Sequence, residues 1–198
     1  MNTMWPWEHL AFGYVLYSLY THLRHGESPR GLPVLALAFA TQFPDLVDKP
    51  LAWTLHVLPG GRTLAHTLFV ALPLSAGAIL VARRERLPAV GTAFAVGYLS
   101  HLLGDVVYPL ALGLPVGVGF LFWPVVPAPT GGVEHGVVEL LRRYATQYLA
   151  DMAPGRLFVY VGLELGLLLG AFGLWIRDGL PGVDSLRRLV GRGLELVG

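Results

Sequence analysis

The chain contains no cysteine, which excludes disulfides, thiolate metal sites and a cysteine nucleophile. Charge is scarce as well: 14% of residues are Asp, Glu, Lys or Arg, where ordinary soluble domains carry about a quarter. Lysine is nearly absent, with Lys49 standing alone against thirteen arginines. Fourteen basic and thirteen acidic residues leave a net charge of +1, so no excess of either sign points to a nucleic-acid partner. With 54% hydrophobic residues and a mean hydropathy of +0.58, neither a disordered chain nor an ordinary soluble domain fits.

What is present in quantity is apolar sequence. Leu64 to Ala82, Leu87 to Gly104 and Leu157 to Ile176, the last broken only by Glu164, each approach the ~20 residues that cross a bilayer. Turn signals at Gly26 to Pro33, Pro44, Pro59 to Gly61, Arg83 to Pro88 and Tyr108 to Gly132 divide the chain. They predict an all-α, multi-pass membrane helical bundle in a single domain over 1–198, with apolar helices at about 9–24, 31–44, 63–82, 88–107 and 156–177. Apolar residues at helical spacing in 133–151 predict an extramembrane amphipathic helix, and the tail 184–198 reads as interfacial. The apolar part of the second segment, Leu32 to Phe43, spans only ~18 Å as a helix, so it enters part of the membrane or continues through Asp45. The first residues lack Lys, Arg and a small-residue cleavage site, so a removable signal peptide is not expected.

Lys and Arg in short loops stay cytoplasmic. If the first segment runs outside to inside, nine of the fourteen cations fall inside and five outside: Lys49, Arg62, Arg142, Arg143 and Arg156. The N-terminus is therefore expected outside, in a plasma or inner membrane. On this topology His9 opens the first segment, Asp45 and Asp48 follow the second, Arg62 and His66 open the third, and His101 and Asp105 close the fourth. All these ends meet on one side. Neutral imidazoles and carboxylates presented from facing helices are the ligands a divalent metal needs. His101 and Asp105, four apart, share a helix face, and Arg62 and His66 have the same spacing.

Simpler roles weigh against several of these residues. Asp45 and Asp48 beside Pro44 suit turns and caps, and single His residues at membrane ends are commonly solvated. His22 and His25 fall at the opposite end as solvated positions, and His56 lies in the connection after Asp48, as a loop residue or, less favoured, one that approaches the site. His135 and Glu139 have the spacing of a helix-borne ligand pair and offer a second metal position or a solvated face. Glu164, about 12 Å into the fifth segment, is an expensive residue at that depth and reads as a protonated or hydrogen-bonded interhelical contact.

Taken together, Glu8-His9-Leu10, Phe43-Pro44-Asp45-Leu46-Val47-Asp48-Lys49, Gly61-Arg62-Thr63-Leu64-Ala65-His66-Thr67 and Gly97 to Asp105 (GYLSHLLGD) resemble the YdjM-type family of inner-membrane metal-dependent hydrolases. Phe120 to Pro124 adds a similar Trp-Pro element. More distantly, the order of His and Asp residues is similar to the zinc-dependent phospholipase C and nuclease superfamily, where a later His-x-x-x-Glu pair, matched here by His135 and Glu139, completes the metal cluster.

The resemblance implies an enzyme that hydrolyses a phosphoester of a lipid or lipid-linked substrate among membrane lipids. Zinc, or else manganese, is expected on His9, Asp45, His66, His101 and Asp105, with His135 and Glu139 as added ligands. Arg62 is expected to steady phosphoryl charge, and Asp48 or an oxygen of Asp45 to take the proton of the attacking water. The residues alone imply only metal binding, so a non-catalytic metal-binding membrane protein, a transporter or an assembly factor, is the rival. A transporter carries polar groups through the full membrane depth, whereas here only Glu164 lies well inside.

Overall fold

The computed structural model describes residues 4–128, 142, 146 and 154–188. Among the described residues every regular element is helical: α1 (Pro6–His25), α2 (Gly31–Ala40), α3 (Phe43–Trp53), α4 (Leu68–Arg84), α5 (Pro88–Ala111), a 3-10 turn at Gly119–Phe122, and α6 (Pro154–Arg177). The helix boundaries follow from local chemistry. Pro6 opens α1, where its missing N–H is not needed, and the Glu8 carboxylate reaches back to the Trp5 N–H. Gly26 ends α1 in the left-handed conformation, φ 67°, and its N–H bonds the His22 carbonyl. The Thr67 hydroxyl caps α4 by accepting from the Phe69 N–H, and Arg83 and Arg84 sit at the negative end of its dipole.

Helix α5 is the hub, packing against α1, α2 and α4. Its approach to α2 depends on Gly97, since a Cβ there would lie 2.7 Å from the Leu37 carbonyl oxygen and 3.0 Å from the Ala40 Cβ. Leu37 and Ala40 are thereby fully buried, joining two small apolar clusters around Tyr14, Tyr17 and Ala93 and around Ala71, Tyr98 and Leu102. Much of the interior is polar. The largest fully buried side chains include His9, His66, His101, Glu8 and Asp48, so ionisable groups occupy space that an ordinary core gives to aliphatic residues.

At the opposite end of α1, Tyr14 and Ser18 both donate to Asp178 Oδ2 at 2.7 Å, and His22 Nε2 lies 3.3 Å from Oδ1. This buried carboxylate, one residue past α6, ties that helix to α1. The His22 predicted as solvated is thus half-buried against Asp178, while His25 is exposed as expected. Glu164 takes the predicted interhelical role and accepts a hydrogen bond from the Trp7 indole at 3.3 Å.

The helical class agrees with the sequence, while the segment list needs correction. Residues 31–44 do not form one helix: α2 stops at Ala40, and α3, which carries Asp45 and Asp48, begins again at Phe43 with Pro44 in its first turn. The third segment starts at Leu68, because 54–67 form a loop that ends in the Thr67 cap, so Arg62 and His66 share no helical face. Two described helices, α5 and residues 158–177 of α6, are long and apolar enough to span a membrane. Helix α1 is interrupted by polar side chains, and α2 has only 10 residues. More than half of the α5 stretch is buried within the protein, whereas little of the α6 stretch is, its residues being exposed or intermediate apart from Ala171. The predicted helix at 133–151 and the end of the predicted tail, 189–198, lie outside the described residues apart from helical positions 142 and 146; residues 183–188 of that tail region are helical.

Candidate metal centre

Four elements deliver the site. Helix α1 presents His9 from its first turn, α3 presents Asp45 and Asp48, the loop before α4 presents Arg62 and His66, and α5 presents His101 and Asp105 one turn apart. Gly104 makes the α1 approach feasible, since a Cβ there would meet Met4 Sδ at 2.6 Å and His9 Nδ1 at 3.4 Å. The side chains of His66 and His101 are fully buried, and Asp105 nearly so.

The outer hydrogen bonds orient each imidazole. His66 Nδ1 lies 2.8 Å from Asp48 Oδ2, and His101 Nδ1 lies 2.7 Å from the Thr41 carbonyl oxygen. Both acceptors require an N–H on Nδ1, which leaves Nε2 of each ring to face inward. Those two Nε2 atoms are 3.1 Å apart. Around them stand Asp45 Oδ1, at 3.5 Å from His66 and 3.9 Å from His101, and Asp105 Oδ2, at 3.8 and 4.0 Å. The His9 ring stacks on His101 with centroids 3.7 Å apart, and its Nε2 is 3.6 Å from Asp105 Oδ1. His9 Nδ1 is buried with no hydrogen-bond partner.

These distances fit a divalent ion. Two ligands bonded at about 2.0–2.1 Å with a tetrahedral angle stand ~3.3 Å apart, close to the 3.1 Å between the imidazoles. Two nitrogen lone pairs so near each other need a cation between them, either a shared proton or a metal. The ligand-type atoms of His9, His101 and Asp105, and of Asp45, His66 and His101, form two groups that can each hold an ion, sharing His101. Because the Nδ1 of His101 is occupied by Thr41, its single inward nitrogen serves one ion only.

The surrounding charges keep the Asp45 carboxylate ionised. Burial works to raise the Asp45 carboxyl, but hydrogen bonding to His66 and the ammonium of Lys49 outweigh it and hold the group well below the usual carboxylate range. Burial likewise pulls the His66 imidazole down, while Asp45, Asp48 and Asp105 together raise it above its ordinary value. Arg62 Nη2 donates to Asp105 Oδ1 at 3.0 Å, with its guanidinium over the Phe120 ring.

The structure thus brings together His9, Asp45, His66, His101 and Asp105, all named from sequence as ligands. Asp48 sits behind His66, its oxygens accepting from the Thr63 N–H at 2.7 Å, the Ala65 N–H at 2.8 Å and His66. His56 is exposed in the 54–67 loop and belongs to neither ligand group. His135 and Glu139 lie outside the described residues. Sequence reasoning missed the Thr41 carbonyl, which no side-chain motif reveals, and the roles of Glu8 and Lys49. The Lys49 position was readable: it follows Asp45 by four residues, the spacing of a helical ion pair.

Fold and site together define, among the described residues, an all-helical protein with two helices long and apolar enough to cross a membrane and a buried His/Asp centre that could hold a divalent metal. Comparison with known families is in accord: the sequence matches the YdjM inner membrane protein family over residues 4–175. The chain belongs to that family. No curated protein and no solved structure matches it.

Proposed function

We propose that this YdjM-family protein is a membrane-embedded, metal-dependent hydrolase that acts on a phosphoester of a lipid or lipid-linked substrate. The observation that carries the metal reading is the pair of inward Nε2 atoms 3.1 Å apart, with both Nδ1 atoms tied from behind. Two or three imidazoles with two carboxylates suit zinc, and manganese is accommodated by the same set. His66, His101, Asp45 and Asp105 would hold the ion, with His9 completing the shell against Asp105. A divalent ion there supplies Lewis acidity toward water and a phosphoryl oxygen.

The chain's own groups divide the remaining work. Asp48 holds the His66 ring and keeps its tautomer, since its oxygens are committed to three donors. Asp45 is mostly buried, but at 13% side-chain exposure against 0% for Asp48 it lies nearer the surface, and it is the carboxylate left to accept a proton from water. Arg62, partly exposed beside Asp105, presents planar donors to phosphoryl oxygens as negative charge grows on them. The bias of arginines toward the other end supports an extracytoplasmic position for this end of the bundle.

The test is metal content of detergent-purified protein, wild type against His66→Ala and the His101→Ala, Asp105→Ala double variant, followed by hydrolysis assays on phosphodiesters and phospholipids. Near-stoichiometric zinc or manganese, absent from both variants, with metal-dependent turnover is the expected result. A metal-free wild type, after metal-replete purification without chelators, refutes the proposal. Bound metal without turnover on any phosphoester leaves a binding protein and refutes the hydrolase.

A further inference from the structure

We infer that Lys49 is a specificity-determining residue which, with Arg62, forms an anion-binding subsite for a phosphate group at the accessible edge of the metal centre. The inference rests on the metal reading above and names the part of a substrate that the site recognises. Each carboxylate facing the centre has its other oxygen held by a cation: Asp105 Oδ1 by Arg62 and Asp45 Oδ2 by Lys49. The two cations are also the reachable part of the site. Their side chains are 28% and 30% exposed, against 0% for His66 and His101 and 2% for Asp105.

Each cation is further flanked by an aromatic ring. Lys49 Nζ stands 5.6 Å from the centre of Trp53, and the Arg62 guanidinium 5.4 Å from Phe120. Such rings hold a cation's stem in place while leaving donors unused. An ammonium has three N–H donors and a guanidinium five, and one contact to a carboxylate consumes few of them. A divalent ion on Asp45 and Asp105 would draw off the carboxylate charge that now holds both cations, making them available to an incoming anion. A dianionic or monoanionic phosphate, tetrahedral with oxygens on several sides, offers acceptors suited to a divalent ion, to the guanidinium fork and to the compact ammonium. That chemistry is shared by free phosphate and by a phospholipid headgroup.

The test titrates inorganic phosphate, and separately a short-chain phosphatidate, into zinc-loaded full-length protein in detergent, with metal content measured on the same samples. At saturating zinc, where the ion itself keeps Asp45 ionised, Lys49→Gln is expected to be fully loaded and to weaken phosphate at least tenfold, while Lys49→Arg restores binding to within about threefold. Phosphatidate binding far tighter than phosphate supports the subsite with a lipid headgroup as its ligand; equal affinities support it with free phosphate. Unchanged phosphate affinity in a zinc-replete Lys49→Gln protein overturns the subsite while the metal reading stands. Zinc lost from Lys49→Gln overturns it too, because Lys49 then serves only to position Asp45. A wild type that binds no zinc overturns the metal reading and the subsite together.

Discussion

Replacing Asp48 with asparagine separates orientation from acid-base chemistry. Asp48 is fully buried and accepts from three donors: Ala65 N–H on Oδ1, and Thr63 N–H and His66 on Oδ2. Asparagine has one acceptor oxygen. Its least disruptive pose keeps that oxygen toward His66 and Thr63 and turns the amide NH2 toward the Ala65 N–H, so two donors face each other. A buried donor left without an acceptor costs about 1–3 kcal/mol, which predicts a lower melting temperature for the metal-free protein. Losing the carboxylate behind a ligating imidazole lowers metal affinity by about 10- to 100-fold, or roughly 1.4–2.7 kcal/mol. Competition with a chromophoric chelator measures the affinity directly. At saturating zinc, turnover of a generic phosphodiester is expected to stay within about tenfold of wild type. An Asp48→Asn protein that binds zinc as tightly as wild type refutes the orienting role, and a rate collapse beyond a hundredfold at full zinc occupancy makes Asp48 the base.

Metal occupancy is expected to fall as pH drops through the imidazole range, since zinc needs neutral His and competes with protons; a pH titration of bound zinc that stays flat down to acid values contradicts imidazole ligation. For the metal-free protein the sign is opposite: His66 has a raised pKa when folded, so its stabilisation is present below the unfolded value and fades as pH rises through the folded one, visible as a lower unfolding midpoint in mildly alkaline buffer. Gly97→Val should lower the melting temperature through about 1–3 kcal/mol of overpacking, because its first carbon would already lie 2.7 Å from the Leu37 carbonyl oxygen; a neutral result would mean that α2 shifts freely against α5. Tyr14→Phe removes one of two hydroxyl donors to buried Asp178 and is expected to destabilise by about 1–3 kcal/mol while leaving metal content at the wild-type level, a distinction checked by melting and elemental analysis on one preparation.

The sequence carried the site further than it carried the segments. Alternating direction along apolar runs was enough to gather His9, Asp45, His66, His101 and Asp105 at one end, because ligands must share a location whatever the details of the helices that bring them. Helix lengths are decided by finer chemistry. Pro44 was legible as a break, but a proline is equally at home in the first turn of a new helix, which is what it opens here. Thr67 preceding an apolar run is a cap signal, and it would have placed His66 in a loop. The tautomers of His66 and His101 depend on Asp48, eighteen residues away, and on a backbone carbonyl sixty residues away. No local pattern encodes either pairing.

The interruption between α2 and α3 has one further consequence. In an unbroken helix the Thr41 carbonyl would lie along the helix axis, turned toward the N–H of Asp45. The pause at Thr41 and Gln42 leaves that oxygen able to receive the His101 ring instead. A short apolar segment that looks too small for its surroundings is thus part of the wiring of the centre. Anyone redesigning this protein for robustness by fusing the two helices would be expected to gain a smoother rod and a histidine with its ring unlocked.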